Sequence, residues 1–257
     1  EADVFFLTQG TLPAISLDGK LLLAGPGQLA VSPDGHGGSL DALRASGALD
    51  DMRRRGIEQI SYFQVDNPLT HCIDPLFLGM HAEVEAQMSA KAVAKRDPLE
   101  KLGNFCMVDG RVRIIEYSDL PEELARATTD DGHLLFRAGS IAIHVLDRAF
   151  VERLTAGGSD LPLHRALKKV PHVDSAGRTV QPGEPNAVKL ERFIFDALPE
   201  AEQSLILETE RDEEFSPVKN AEGPDSLATS LHDQVRRAAV WLEEAGVTVP
   251  RDADGQV

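Results

Sequence analysis

The chain has 257 residues, enough for one large domain or two modest ones with a hydrophobic core, and 42% of its residues are apolar. Its 42 acidic and 26 basic residues leave a formal net charge of −16, which argues against a nucleic-acid-binding protein because such proteins normally carry a basic face. No apolar run reaches membrane-spanning length, so we expect neither a membrane partner nor, given the acidic charge, a nucleic-acid partner. Cys72 and Cys106 belong to no paired motif, which favours a reducing compartment, and we expect a cytoplasmic protein.

The first part of the chain is predicted to contain strands, a glycine-rich loop and two helices. Short apolar runs bounded by glycine and proline predict strands at 4–8 and 20–24. The loop and the residues after it read SPDGHGGSLDAL (32–43). Helical spacing then predicts two short helices, one over 39–46 that is followed by Gly47 and one over 48–56 that ends at Gly56.

The next segment predicts a buried strand and a capped helix. The strand covers 57–67 and ends in an aspartate and an asparagine. The helix covers 74–87, with Asp74 as its N-cap and Pro75 at its first position. Another strand is predicted at 91–96.

Strands continue to alternate with helices to the end of the chain. The dipeptide Asp-Gly joins strands 104–110 and 111–118 as a hairpin, and a third strand is predicted at 140–147. The remaining predicted elements are helices at 121–127, 186–201 and 226–246 and a strand at 204–209. This alternation predicts an α/β fold with a mixed, mostly parallel sheet flanked by helices.

Candidate ligand-binding residues follow predicted strands, where ligands gather in open α/β sheets. The backbone of the glycine-rich loop could approach an anion or a flat base, or the loop could be only a tight turn before a helix. Asp66 could bind Mg²⁺ beside a phosphate, or it could cap a turn. Glu116 could accept hydrogen bonds from sugar hydroxyls, or it could be an exposed carboxylate.

Four other side chains have more than one interpretation each. His36 could be a base, a metal ligand or a solvated turn residue. Lys219 follows the acidic run 212–214, so it could form a surface ion pair or bind phosphate. Phe193 and Phe195 fall on different faces of the predicted helix 186–201, which favours packing for both or a pocket position for one.

Several motifs occur in an order and at a spacing that is specific for one family. They are QGTLPAIS, PDGHGG, DMRRRGI, VDNPL with DPLFLG, IIEYSDLP, LLFRAGSIAIH, KKVPHVD, PNAVKLERFIFD and DEEFSPVKN. Together they resemble the UDP-N-acetylglucosamine pyrophosphorylases within the UDP-sugar pyrophosphorylase family. The resemblance covers nearly the whole chain and implies a Rossmann-like nucleotidyltransferase fold.

The resemblance implies that UTP and a sugar 1-phosphate are joined to give a UDP-sugar and pyrophosphate, with Mg²⁺. It implies that Gln9 and Gly35 contact the nucleotide, and that Asp66 lies by the UTP phosphates and the metal. It also implies that Lys189 and Lys219 contact phosphates. Cations suit this reaction because the sugar phosphate is already an anionic nucleophile and negative charge must be neutralised.

The resemblance also implies a set of sugar contacts. Glu116 and Tyr117 would hold the sugar, with Phe193 and Phe195 near the sugar end of the pocket. The glycines of loop 33–38 would be present because a side chain there would collide with the ligand.

Two residues on the sugar side depart from the family pattern. His36 and Ser140 each stand where the family commonly has asparagine. These departures leave the reaction type intact and leave open whether N-acetylglucosamine 1-phosphate or glucose 1-phosphate is the substrate.

The resemblance further implies that residues 1–250 are part of a central catalytic domain, with 251–257 as a frayed tail. The family's glycine-rich loop with a catalytic arginine, and a small C-terminal domain, would lie outside this sequence, so we expect the fragment itself to be inactive. Two other interpretations stay open: a catalytically inactive sugar-nucleotide-binding module, and a metal-dependent phosphohydrolase. The phosphohydrolase would use Asp66, Asp74, His36 and His71.

Overall fold

The computed structural model, which describes residues 3–255 and Val257, divides into two units by the contacts among its residues. Unit 1 consists of the residues up to Glu58 together with Asp147–Ala201. Unit 2 consists of Gln59–Leu146 together with Glu202–Val257. Both units mix strands with helices, as the sequence predicts for an α/β fold.

Unit 1 is built from short strands and helices. Its strands are β1 (Thr11–Pro13), β2 (Ile15–Ser16), β3 (Leu23–Gly25), β4 (Gln28–Leu29), β5 (Val31–Pro33), β11 (His164–Lys168), β12 (His172–Val173), β13 (Thr179–Val180) and β14 (Ala187–Glu191). Its helices are α1 (Gly38–Ala45), α2 (Ala48–Arg54), α5 (Arg148–Leu154) and a 3-10 helix at Ile194–Glu200. An antiparallel sheet in the order β11-β14-β2 and the antiparallel pair β1-β5 support the glycine-rich loop, which follows β5 directly.

Unit 2 is organised around a six-stranded sheet. Its strands are β6 (Gln59–Tyr62), β7 (Met88–Ala94), β8 (Gly103–Val108), β9 (Arg111–Ile115), β10 (Ala138–Asp147) and β15 (Ser204–Glu208). Its helices are α3 (Pro75–Glu83), α4 (Glu122–Ala125), α6 (Arg211–Glu214) and α7 (Leu227–Glu244). The first six residues of β7 are all buried, as expected for a central strand covered on both faces.

The strand order of this sheet is β15-β7-β10-β8-β9, with β6 also paired to β10. Strands β15 and β7 are parallel, whereas β10 is antiparallel to both β7 and β8, and β8 is antiparallel to β9. The predicted mixed sheet with flanking helices is confirmed, but the expectation that it is mostly parallel is wrong. Alternation of element types does not reveal that β7 and β8 each pair with the later strand β10, and hairpins such as β8-β9 are antiparallel by geometry.

Several local predictions are confirmed. Asp74 caps α3, its Oδ1 accepting hydrogen bonds from the backbone N–H groups of Leu76 and Phe77, with Pro75 at the first helical position. Asp109 and Gly110, between β8 and β9, have positive φ angles of 50° and 74°, which a type I′ hairpin turn requires.

Three element predictions are wrong in whole or in part. The predicted buried strand 57–67 is reduced to β6 (Gln59–Tyr62), whose residues are half-buried, and Val65 is 99% exposed. Residues 186–201 form strand β14 followed by a 3-10 helix, because β14 pairs with β11 on one side and with β2 on the other, and that pairing overrides the helical spacing. The run 4–8 forms no strand, and its side chains are exposed, Phe6 to 91%. None of the described strands pairs with that run, and a strand-like composition alone does not form a strand.

No helix within residues 3–255 or at Val257 is long and apolar enough to cross a membrane.

Candidate functional site

The predicted site residues are distributed between the two units. Those in unit 1 are Gln9, Gly35, His36, Lys189, Phe193 and Phe195, and those in unit 2 are Asp66, Glu116, Tyr117, Ser140 and Lys219.

In unit 1, the glycine-rich loop is held against the end of β14. The backbone N–H of Arg192 donates to the carbonyl of Asp34 (2.7 Å), and the N–H of Gly37 donates to the carbonyl of Arg192 (2.9 Å). The amide nitrogen of Gln9 donates to Oδ1 of the buried Asp34 (3.2 Å) and to the carbonyl of Gly35 (2.9 Å). Gln9 therefore fixes the loop itself.

The glycines of this loop are required by packing within the protein. Gly35 has a φ of +87°, and a Cβ there would collide with the backbone nitrogen and oxygen of Arg192. A Cβ at Gly37 would lie 2.9 Å from backbone atoms of Arg192 and Phe193, and one at Gly38 would collide with the Asp34 carboxyl group. Packing within the chain therefore already requires these glycines, because a Cβ at each would meet another part of the chain. The expected contact of the loop with a ligand stays a prediction.

His36 lies in an aromatic cluster that continues from this loop. The His36 ring stacks on the Phe193 ring with a centroid distance of 5.1 Å, and its centroid lies 5.8 Å from that of Phe195. The His164 ring also contacts Phe193, with a centroid distance of 4.5 Å. The backbone N–H of Ile194 donates to His36 Nδ1 (3.2 Å). His36 is thus packed rather than merely solvated in a turn.

The protonation state of His36 follows from these contacts. Burial, followed by repulsion from His164, lowers the pKa of His36 from 6.5 to about 4. The ring is neutral at pH 7, and because Nδ1 accepts a hydrogen bond, we assign the proton to Nε2. The His36 side chain therefore carries one imidazole N–H donor.

Lys189 is the candidate cation of unit 1. It is half-buried in β14, opposite Ala166 of β11. Within residues 3–255 and Val257 its ammonium group makes no ion pair with a carboxylate.

In unit 2, the backbone brings Asp66 next to Lys219. The N–H of Val218 donates to the carbonyl of Asp66 across 2.8 Å. The exposed Lys219 follows, with its Nζ 5.9 Å from the centroid of the Phe215 ring. In the described part of the chain, Lys219 has no ion-pair partner and the Asp66 carboxylate accepts no hydrogen bond.

The surface-ion-pair interpretation of Lys219 is therefore wrong. The neighbouring acidic side chains have other partners: Asp212 pairs with Arg236 (2.6 Å), Glu213 accepts from the Trp241 indole (3.1 Å), and Glu214 pairs with Lys91.

Sequence reasoning missed the residues that fix this arrangement. Asn67, which is 5% exposed, donates to the carbonyl of Glu214 (2.7 Å) and accepts from the N–H of Ser216 (3.1 Å). Lys91, whose side chain is 1% exposed, pairs with Asp74 (2.6 Å) and Glu214. The position of Asn67 beside Asp66 was a usable signal; Lys91, in a strand, gave none.

The predicted sugar contacts of unit 2 lie around Gly103. A Cβ built on Gly103 would be 3.7 Å from Glu116 Oε1 and 3.8 Å from Ser140 Cβ, so the two residues are neighbours. Ser140 precedes an irregularity in β10 at which Ala142 has a φ of 56°, a strained value for a residue with a side chain. Tyr117 follows Glu116 and is 45% exposed.

The four residues of the phosphohydrolase interpretation are not all in one unit. His36 belongs to unit 1 and the other three to unit 2. His71 and Asp74 do come together, with Glu214, each offering one ligand atom within 4.8 Å of the others. Asp74 is also a helix cap and an ion-pair partner of Lys91.

Comparison with known proteins gives a consistent result. The sequence model of the family described as UTP--glucose-1-phosphate uridylyltransferase matches residues 1–239. The human UDP-N-acetylhexosamine pyrophosphorylase-like protein 1 is 42% identical over 248 residues, which are 95% of this chain and 49% of the relative. The UDP-N-acetylglucosamine pyrophosphorylase of Saccharomyces cerevisiae is 39% identical over 253 residues, 96% of this chain and 53% of the relative.

A crystal structure supports the same relationship. A protein from Entamoeba histolytica assigned as a UDP-N-acetylglucosamine pyrophosphorylase superposes with a TM-score of 0.85 at 33% identity, covering 95% of this chain and 61% of that one. The chain spans about half the length of the curated relatives it matches.

Proposed function

The chain belongs to the UTP--glucose-1-phosphate uridylyltransferase family, and from this premise we propose that it carries catalytic residues of a uridylyltransferase. The enzyme joins UTP and a sugar 1-phosphate, either N-acetylglucosamine 1-phosphate or glucose 1-phosphate, and releases pyrophosphate. The observation that carries the proposal is the attachment of the Lys219 segment to Asp66 through the Val218 N–H. Within the described residues, it holds a carboxylate that accepts no hydrogen bond and a lysine that forms no ion pair on adjacent stretches of chain.

In this proposal, Lys219 and Lys189 neutralise phosphate charge. The sugar phosphate oxygen attacks the α-phosphorus of UTP in line with the leaving pyrophosphate, so negative charge shifts while no proton needs to be abstracted. Ammonium groups that are not engaged by carboxylates can hold that charge at little reorganisation cost. Gln9 keeps Gly35 and its loop in place for the nucleotide.

Asp66 would hold Mg²⁺. Its carboxylate oxygens are the hard donors that Mg²⁺ prefers, and no hydrogen bond to the residues of the described chain occupies them. When bound, the ion supplies charge neutralisation on phosphate oxygens.

The sugar side would be formed by Glu116, Tyr117, Ser140, His36, Phe193 and Phe195. An ionised carboxylate such as that of Glu116 makes stronger hydrogen bonds to hydroxyl groups than a neutral acceptor does. The neutral His36, with its proton on Nε2, would act as a donor to the substrate rather than as a base.

We place the enzyme in the cytoplasm. This placement is supported by the two cysteines, which are both free thiols.

The test is a panel of sugar 1-phosphates offered with UTP and Mg²⁺ to the full-length protein while pyrophosphate release is followed. We expect turnover with at least one of the two named sugar phosphates. Binding of UDP-sugar without any pyrophosphate release would instead identify an inactive sugar-nucleotide-binding protein.

A further inference from the structure

A cluster of three potential metal ligands in unit 2 plays no part in the proposed reaction. His71 lies between β6 and α3, Asp74 caps α3, and Glu214 is the last residue of α6. One ligand atom from each side chain lies within 4.8 Å of the other two. Two segments of the chain, the one that leads into α3 and the end of α6, therefore converge on one point.

Within the part of the chain that the structure describes, two buried polar atoms of this cluster have no hydrogen-bond partner. Glu214 is 3% exposed, and its Oε2 accepts no hydrogen bond from any described residue. His71 Nε2 is likewise buried without a hydrogen bond inside the described chain. Leaving such atoms unpaired costs about 1–3 kcal/mol each, so a group that binds both of them would stabilise the fold.

The charge of the cluster favours a cation. Lys91 contacts Glu214 through Oε1 and Asp74 through Oδ2. Its single positive charge opposes two carboxylates, so Lys91, Asp74 and Glu214 together carry a net charge of −1. Because a carboxylate has lone pairs on both oxygens, Glu214 can keep Lys91 on Oε1 and bind a second cation through Oε2.

The ligand types identify the class of ion. An imidazole nitrogen with two carboxylates is a zinc-type set, whereas Mg²⁺ prefers oxygen ligands alone. Tetrahedral ligands at Zn–N and Zn–O distances of about 2.0–2.2 Å lie roughly 3.4 Å apart, so binding would draw the three ligand atoms, now within 4.8 Å of one another, closer together. We propose that His71, Asp74 and Glu214 form a binding site for a divalent transition-metal ion of the zinc type, separate in its residues from the proposed Mg²⁺ ligand Asp66.

The single tryptophan of the chain provides a direct readout. The Trp241 ring lies 5.8 Å from the His71 ring in an edge-on arrangement. A paramagnetic ion such as Ni²⁺ or Cu²⁺ bound at His71 should quench Trp241 fluorescence, while Zn²⁺ should compete with it. Zn²⁺ binding itself is measured by calorimetry on untagged protein.

The variant His71→Gln removes one ligand at a half-buried position and should leave the fold intact. Loss of a supporting residue behind a metal ligand already weakens affinity about 10–100-fold, so loss of the ligand itself should weaken Zn²⁺ binding at least about 100-fold and abolish quenching. His232→Gln is the matched control, because His232 is an exposed histidine on the same helix as Trp241. It should bind like the wild type.

Glu214→Gln, checked for folding by its melting curve, should also weaken binding because it replaces an anionic ligand with a neutral one. Equal Zn²⁺ affinity in His71→Gln and wild type, or no saturable binding to the wild type, would overturn the assignment. These experiments measure metal binding alone, so their result is independent of uridylyl transfer.

Discussion

The N–H of Val218 and the carbonyl of Asp66 are joined by a 2.8 Å hydrogen bond. This bond places Lys219, the next residue, beside the turn that carries the Asp66 carboxylate. Asn67 strengthens the same junction by binding Glu214 and Ser216. Asp66 and Lys219 are therefore expected to respond together when this junction is disturbed.

Asn67→Ala tests the junction. It leaves the Glu214 carbonyl and the Ser216 N–H without their partner in a buried place, which should cost about 2–4 kcal/mol of unfolding free energy. We also expect kcat to fall at least about tenfold, because even a small displacement of Asp66 or Lys219 from its position at the reacting centre lowers the rate steeply. Urea denaturation and pyrophosphate-release assays measure the two effects.

Asn186→Ala is the matched control in unit 1. Asn186 accepts from the N–H of Val170 (2.7 Å) and donates to its carbonyl (3.0 Å), so the same two kinds of hydrogen bond are lost. It should lower stability with little change in kcat. An equal fall of kcat in both variants would show that the effect of Asn67 is general destabilisation.

Gly35→Ala should destabilise the protein by more than a left-handed backbone alone explains. The φ of +87° costs a residue with a side chain about 1–2 kcal/mol, and the new Cβ would also collide with the Arg192 backbone. Gly19→Ala isolates the first cost, because Gly19 has a φ of +85° and no atom within 4 Å of its added Cβ. If the urea midpoints of the two variants coincide, the close packing of Gly35 on Arg192 is contradicted.

The lowered pKa of His36 predicts a pH dependence of stability. Because its pKa falls from 6.5 to about 4 on folding, the unfolded chain binds the proton more readily between these values. The contribution of His36 is therefore fully present above pH 6.5 and is lost as the pH falls toward 4. In urea titrations over this window, His36→Asn should lose less stability than the wild type; parallel curves would refute the buried neutral ring.

Sugar preference should depend on His36 and Ser140. The double variant His36→Asn, Ser140→Asn should raise the preference for N-acetylglucosamine 1-phosphate over glucose 1-phosphate by about tenfold, since one pocket contact is worth about 1–3 kcal/mol. The ratio of the two kcat/KM values measures it. An unchanged ratio would mean that these residues do not face the sugar.

Local signals predicted much of the fold. Asp74 with Pro75 and the Asp109–Gly110 turn were predictable because each depends on its own neighbours in sequence. Strand β14 was not, because its state is decided by pairing with β11, about twenty residues earlier in the chain.

The sequence predicted which residues form the candidate site, but not which residues hold them in position. The ordered motifs pointed to Asp66 and Lys219, whereas Lys91 lies in a strand whose neighbours are apolar or small and gave no hint of a buried ion pair. The reason for Gly35 also lay outside its motif, in the backbone of Arg192, more than 150 residues later. Such contacts depend on tertiary structure and leave no local pattern.

The most direct measurement is the rate of pyrophosphate release from UTP and the preferred sugar 1-phosphate by full-length wild-type and Lys219→Ala proteins. Lys219→Ala should lower kcat/KM about 100-fold, equivalent to about 2.7 kcal/mol of transition-state stabilisation, with little change in Tm. Lys219→Arg should keep the positive charge and so retain part of the rate. It should not retain all of it, because a planar guanidinium does not occupy the position of a compact ammonium. Lys169→Ala, which removes an exposed lysine bound to the Gly183 carbonyl, should turn over like the wild type. Near wild-type turnover in Lys219→Ala would contradict the account.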